Sequence, residues 1–371
     1  MEDYYLSYKD KTVLVTGGAG AIGSNLTKAL AAAGAKCVIV LDNFSSSYKW
    51  NIPDYPNVML VEGDVSDEIT LKRVFFEKPI VVFHLAAFFA NQNSIDYPDR
   101  DINTNGIGTL KMLQYSTMAG VERFVYASSG CSIYGSDAPL PLKEDFISMN
   151  LSTPYQITKM LGELYCNFFF NHYGTPVVKA RFFNSYGPGE VPGQYRNVIP
   201  NFVYWAMKGQ TLPITGTGEE TRDFTFVQDL VDGLLRSGYY EQAIGEQYNL
   251  ASSVETRIID LANMINDLTG NEAGIKSASR RKWDTKSRLW ASIEQASEII
   301  GYSPKTNFEE GLEKTVEWFR KKWDFIEQSA SFNPGMSSAV RDKTIPINIQ
   351  DKIETMHKEM DYNKQVPQYA G

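Results

Sequence analysis

Short, continuously apolar runs alternate with helix-period segments through the first half of the chain. TVLVTGG (Thr12 to Gly18) reads as a buried strand breaking into a glycine turn, and NLTKALAAAG reads as a helix ending at Gly34. CVIVLD (Cys37 to Asp42), VMLVEGD (Val58 to Asp64), IVVFHLAA (Ile80 to Ala87), RFVYASS and TPVVKARFFN (Thr175 to Asn184) repeat the strand pattern, with helical stretches such as EITLKRVFFE between most of them. Strands that are apolar on both faces and separated by helices predict an α/β fold, a doubly wound parallel sheet. From about Gly187 the rhythm loosens into loops rich in glycine and proline, YGPGEVPGQ and LPITGTGEE, which predicts a smaller C-terminal region. Helices are expected there near Glu255 to Leu268 and over FEEGLEKTVEWFRKKW, and one more in the tail over DKIETMHKEMDYN.

Composition narrows the class without naming it. With 371 residues, 43% apolar and 22% charged, the chain suits a soluble globular protein with a sizeable core. The net charge of −8 offers no general attraction to nucleic acid or to an anionic membrane, so neither is an expected partner, and an anionic ligand needs a local site. Cys37, Cys131 and Cys166 are too few and too scattered for a disulfide framework or a zinc site, so no metal is expected. MEDYYLSYKDK lacks a signal-peptide core and no apolar run is long enough to span a bilayer, which points to the cytoplasm.

Gly17, Gly20 and Gly23 recur at three-residue spacing where the first strand gives way to a helix. Glycines there permit the tight turn and let backbone N–H groups approach a pyrophosphate at the helix N-terminus. Asp42 follows 19 residues after Gly23, at the end of the next strand, where a carboxylate accepts ribose hydroxyls and repels a 2′-phosphate. The expected cofactor is therefore NAD rather than NADP, held by a Rossmann-type sheet. Asp64 is a candidate adenine contact with a turn role as the competing reading, Ala86 and Ala87 leave room for the cofactor, and His84 reads as a packed core histidine.

In STPYQITKMLGE, Tyr155 and Lys159 share one helix face. A phenol is a poor base at neutral pH, but a neighbouring ammonium and a positively charged nicotinamide favour its ionised form. Such a pair could then let Tyr155 remove a proton from a sugar hydroxyl while hydride leaves the same carbon.

TGGAGAIG, DN after the second strand, GDV, HLAA, NTNGIGT, ASS…YG, PYQITK, RFFNSYGPG and TRDFTFVQDL occur in the order found in the extended short-chain dehydrogenase/reductases acting on nucleotide sugars, which the chain resembles from roughly Lys11 to Arg320. The resemblance implies a dinucleotide-binding domain over 1–186 with returning segments around 222–250, a nucleotide-sugar region over 187–325, and a C-terminal extension over 326–371. It implies cofactor contacts at Gly17, Gly20, Ala21, Ile22, Gly23, Asp42, Asn43, Asp64, Val65, Leu85, Ala86, Ala87, Tyr155 and Lys159. It also implies a catalytic hydroxyl with Tyr155 and Lys159. Family members usually place three residues between that hydroxyl and the Tyr-Gly pair. Counting back from Tyr134 lands on Gly130, whereas the strand register points to Ser129, which requires a turn one residue longer. Ser129 is the assignment and Ser132 the alternative. Cys131 takes a position held by an acid in related 4,6-dehydratases and by an acid/base cysteine in a 3,5-epimerase; a small packed thiol is the competing reading.

On the substrate side the resemblance implies contacts to a nucleotide diphosphate sugar from Asn184, Asn197, Arg222 and Arg288, with Arg280 or Arg281 as substitutes for the last. Sugar choice falls to residues near Phe88, Phe89, Asn91, Gln92 and Asn93. A homodimer is implied through the helices after NTNGIGT and from Tyr155, with Phe168, Phe169 and Phe170 either as apolar surface or, equally, as core. The expected activity is nucleotide-sugar epimerisation at C4. The rivals are a 4,6-dehydratase, a uronic acid decarboxylase and a 3,5-epimerase, and a non-catalytic NAD-sensing protein stands outside the enzyme class.

Overall fold

The computed structural model describes residues 3–280, 284 and 286–332. The tail helix expected over DKIETMHKEMDYN, most of the C-terminal extension and Arg281 lie outside the described residues. Seven parallel strands build the central sheet: β1 (Thr12–Thr16), β2 (Cys37–Asp42), β3 (Val58–Glu62), β4 (Val81–His84), β5 (Arg123–Ser129), β6 (Val177–Phe182) and β7 (Gln247–Leu250), in the order β3-β2-β1-β4-β5-β6-β7. β7, whose sequence QYNL lacks a continuous apolar run, pairs with β6 in parallel from Gln247 opposite Lys179 to Leu250 opposite Phe182.

The apolar runs are apolar because helices cover both sheet faces. On one face α1 (Ala21–Ala32) packs with Val13, Val15, Val38 and Phe83; on the other, α2 (Thr109–Ala119) and α3 (Pro154–Tyr173) pack with Leu14, Ile39 and Phe124. A further helix, α4 (Val227–Tyr239), returns the chain to the first face. α3 starts and stops on local signals: the Thr153 side chain accepts from Gln156 N, Pro154 takes the first position, and Gly174 closes the helix at φ 70°.

A second core gathers Ile199, Phe202, Leu212, Leu261, Leu312 and Phe319 beyond the sheet. Here Glu255–Arg257, expected to begin a helix, forms a short strand antiparallel to Thr221–Asp223, and the helix starts only at Ile258. Phe168, Phe169 and Phe170 divide between the core and surface readings: Phe169 is buried, Phe170 packs against the core, and Phe168 is exposed. No helix among the described residues is long and apolar enough to cross a membrane. β1 and β4 sit side by side although the chain runs outward from them in opposite directions, and ligands of such sheets bind at that switch point, beyond the C-terminal strand ends.

Candidate active site

A cleft of about 440 Å³ opens at those strand ends. Gly17, Gly20, Ala21, Ile22 and Gly23 form one wall, with Gly20 as the cap of α1. The glycines are steric requirements: a Cβ on Gly23 would lie 2.1 Å from Gly17 O, and Gly17, at φ 69°, would bring one to 2.9 Å from Ala86 N. Leu85, Ala86 and Ala87 supply the adjoining wall.

Asp42 closes the far end of the loop. Its Oδ2 accepts Ala19 N at 3.0 Å, while Oδ1 accepts Phe44 N at 2.9 Å and Ser47 Oγ at 2.7 Å. The carboxylate is thus fixed at the cleft edge with an acceptor site to spare. Asn43 and Val65 line the cleft. Asp64 does not; it accepts from Ser66 N at 2.8 Å and Asn43 Nδ2 at 2.7 Å, holding the turn after β3 beside the cleft. His84 is fully buried between Thr16 and Thr109, and burial drives its imidazole down to about 3, so it stays neutral.

Tyr155 and Lys159 face the cleft from α3. Lys159 Nζ donates to Ala127 O at 2.8 Å and lies 5.6 Å from the Tyr155 ring centroid. The Tyr155 phenol oxygen makes no hydrogen bond to the described residues, leaving it available to a ligand. Burial first, then Asp101 and Cys131, push the phenol up; burial pushes Lys159 down to about 8 against the opposing pull of Asp101.

The turn after β5 places its hydroxyls differently. The residues after Ser129 form one helical turn, Gly130–Ile133. Gly130 is obligatory, since a Cβ there would meet the Phe183 ring at 2.0 Å. Ser129 lines the cleft; Ser132 is fully buried behind it and donates to Ser129 Oγ at 3.0 Å. Ser128 turns its hydroxyl away, onto Glu163 Oε1 at 2.5 Å. Cys131 reaches the cleft with Sγ 3.9 Å from Asn184 Oδ1, and burial pushes its thiol up despite Lys286 and Arg222 nearby. That environment favours the packed-thiol reading over an acid/base thiolate.

Asn184, Asn197 and Arg222 line the opposite side. Arg222 donates to Asp284 Oδ1 at 3.0 Å and Thr221 O at 2.8 Å. Arg288 does not reach the cleft: it forks onto Glu255, with Nε to Oε1 at 3.0 Å, and is half exposed. Arg288, expected on the diphosphate, is therefore not brought together with Asn184, Asn197 and Arg222 in this structure, its guanidinium being held by Glu255. Arg280 is likewise engaged, donating to Lys286 O at 2.7 Å. Phe88, Phe89, Asn91, Gln92 and Asn93 all line the cleft.

Three titratable groups in or beside the cleft were not expected from the sequence. Asp101, fully buried, accepts from Thr158 Oγ1 at 2.8 Å and Asn105 Nδ2 at 2.7 Å, and burial raises it to about 6. Glu190 accepts from Asn197 Nδ2 at 3.0 Å and is raised by burial to about 7. Lys286 lines the wall beside Cys131. Only Asp101 left a sequence signal, its i,i+4 spacing to Asn105.

A glycine loop at the switch point, facing a tyrosine–lysine pair and a serine, defines an extended short-chain dehydrogenase/reductase. The chain belongs to the NAD dependent epimerase/dehydratase family, whose model matches residues 13–251, and NAD is its cofactor. It is 35% identical to a UDP-glucose 4-epimerase of Mycolicibacterium smegmatis, over 83% of this chain and 98% of the relative. It is 33% identical to UDP-glucuronic acid decarboxylase 1 of Xenopus tropicalis, over 86% of this chain and 74% of the relative. Among solved structures, an epimerase from the thermophilic pseudomurein-containing methanogen Methanothermobacter thermautotrophicus superposes with a TM-score of 0.88 at 57% identity, covering 89% of this chain and 98% of that one.

Proposed function

We propose that the protein is an NAD-dependent nucleotide-sugar epimerase that inverts C4 through a transient 4-keto sugar, with a uridine diphosphate sugar as substrate. The observation that carries this reading is the Tyr155 phenol, which has no hydrogen-bond partner among the described residues and lines a cleft whose other wall is the glycine loop. NAD, when bound, would supply a hydride acceptor and donor and a positively charged ring. Tyr155 accepts the C4 hydroxyl proton and returns it, and the Lys159 ammonium favours the phenolate while this happens. Ser132 donates to Ser129, so the Ser129 O–H is left to donate to the reacting oxygen. Asp42 would hold the adenosine ribose, and Arg222, Asn184 and Asn197, which line the cleft, would hold the diphosphate and sugar. The turn from Gly130 to Tyr134 carries no carboxylate, which favours epimerisation over dehydration.

A homodimer is part of the proposal. Ile157, Leu164 and Phe168 form an exposed apolar stripe along α3, with Ile107 beside it on the segment leading into α2. A cytoplasmic location accords with three unpaired cysteines. The test is product NMR after incubation with UDP-, dTDP-, GDP- and CDP-sugars, beside a Tyr155→Phe control. A C4 epimer made by the wild type and absent from the variant supports the reading. Release of water or carbon dioxide, or stoichiometric consumption of added NAD, rejects it.

A further inference from the structure

Lys286 is the feature of the cleft that the reading above does not use. It is partly buried in the wall, and Nζ donates to the main-chain carbonyl of Cys131 at 3.0 Å. Among the described residues no carboxylate lies within ion-pair distance of it. Asp284 and Asp137 act on it only from farther away, and Asp284 is engaged at 3.0 Å by Arg222. An ammonium has three donors and this one spends a single donor on a neutral carbonyl. Burial and the like charge of Arg222 both work against the protonated form. A cation held this way in a polar cleft is poorly compensated until an anion arrives.

Its position says which part of a ligand that anion belongs to. The carbonyl it grips is two residues beyond Ser129, so the ammonium stands at the reacting end of the cleft, away from the glycine loop. Arg222 is the guanidinium better shaped for diphosphate oxygens. We propose that Lys286 is a specificity-determining residue that binds a carboxylate carried on the sugar ring of the substrate. This rests on the nucleotide-sugar reading and narrows it to sugars with an acidic substituent. A neutral hydroxymethyl group in the same place leaves the ammonium uncompensated.

Calorimetric titration of the full chain loaded with NAD tests this, with UDP-glucuronate, UDP-glucose and UDP as probes. The wild type should bind UDP-glucuronate about 10- to 100-fold more tightly than UDP-glucose, the range of a charge-assisted hydrogen bond. Lys286→Met should collapse that ratio toward one, and Lys286→Arg should keep most of it. A ratio unchanged in Lys286→Met overturns the assignment. So does a loss of affinity for UDP alone as large as that for UDP-glucuronate, which would place Lys286 on the diphosphate. Should the methionine variant fail to fold, a wild-type ratio of one or less overturns it equally. Product NMR on the same samples separates the two proposals. Selective uronate binding without any epimer formed keeps the Lys286 assignment and rejects epimerisation; epimerisation without uronate preference does the reverse.

Discussion

Arg181 and Glu163 form a two-point ion pair buried beneath the turn after β5, Nε to Oε1 and one terminal nitrogen to Oε2, both at 2.9 Å. The same carboxylate accepts from Ser128, and the same guanidinium donates to the Tyr134 hydroxyl at 3.0 Å and Glu144 O at 3.3 Å. Both ends of the turn that presents Ser129 are therefore tied to one pair joining α3 to β6. Glu163→Ala strands a buried guanidinium and should cost about 3–5 kcal/mol of stability. Urea denaturation checks this; a cost below about 1 kcal/mol would show that the pair is not what holds the turn.

The hydroxyls around the turn should separate by assay. Ser129→Ala removes the donor in the cleft and is expected to lower kcat by about 10- to 100-fold, with melting temperature nearly unchanged. Ser132→Ala, which removes a hydroxyl that hydrogen-bonds Ser129 from behind, should lower kcat less. Ser128→Ala should act on stability, by about 1 kcal/mol, and little on turnover. Steady-state kinetics with thermal melts ranks the three, and a larger kcat loss for Ser132→Ala than for Ser129→Ala reverses the assignment.

The two arginines expected on the diphosphate now differ in outcome. Arg222→Ala should raise KM for the nucleotide sugar by about tenfold or more. Arg288→Ala, at a side chain committed to Glu255, should shift KM by less than about threefold. Equal effects would return Arg288 to the site.

Lys159 sets a pH dependence whose sign follows from its depressed value. In the unfolded chain it titrates near 10.5, in the folded chain near 8. Between those values the unfolded state holds the extra proton, so stability rises with pH. Below pH 8 the full cost of the buried ammonium is present. Lys159→Met removes that cost, so the stability of the wild type relative to this variant should improve as pH goes from 8 to 10.5, while the variant loses most activity at every pH. Denaturation of both proteins across that range measures it; a relative stability that falls with pH contradicts the burial of the charge.

Much of the framework is legible locally. CVIVLD and RFVYASS coincide with β2 and β5 because their positions are apolar on both faces and their ends are marked by turn residues. The glycine loop and the Tyr155–Lys159 pair are legible for the same reason, being local spacings. What escapes is what depends on distant partners. Asp101 meets Thr158 across 57 residues, and Arg288 is drawn off by Glu255 from another strand. β7 has no apolar run because its place at the sheet edge is secured by β6 and by Asn249, whose side chain bonds Leu142 O and Ser292 O.

Oxidation and return of a single hydrogen at C4 is most directly tested by turnover of a UDP-sugar deuterated at that carbon. The epimer should carry the deuterium at C4, the rate should show a primary isotope effect, and no reduced cofactor should accumulate. Loss of the label to solvent with an unaltered rate would mean that the stereocentre is exchanged by proton transfer, and that the Tyr155–Lys159 pair does not serve a hydride step.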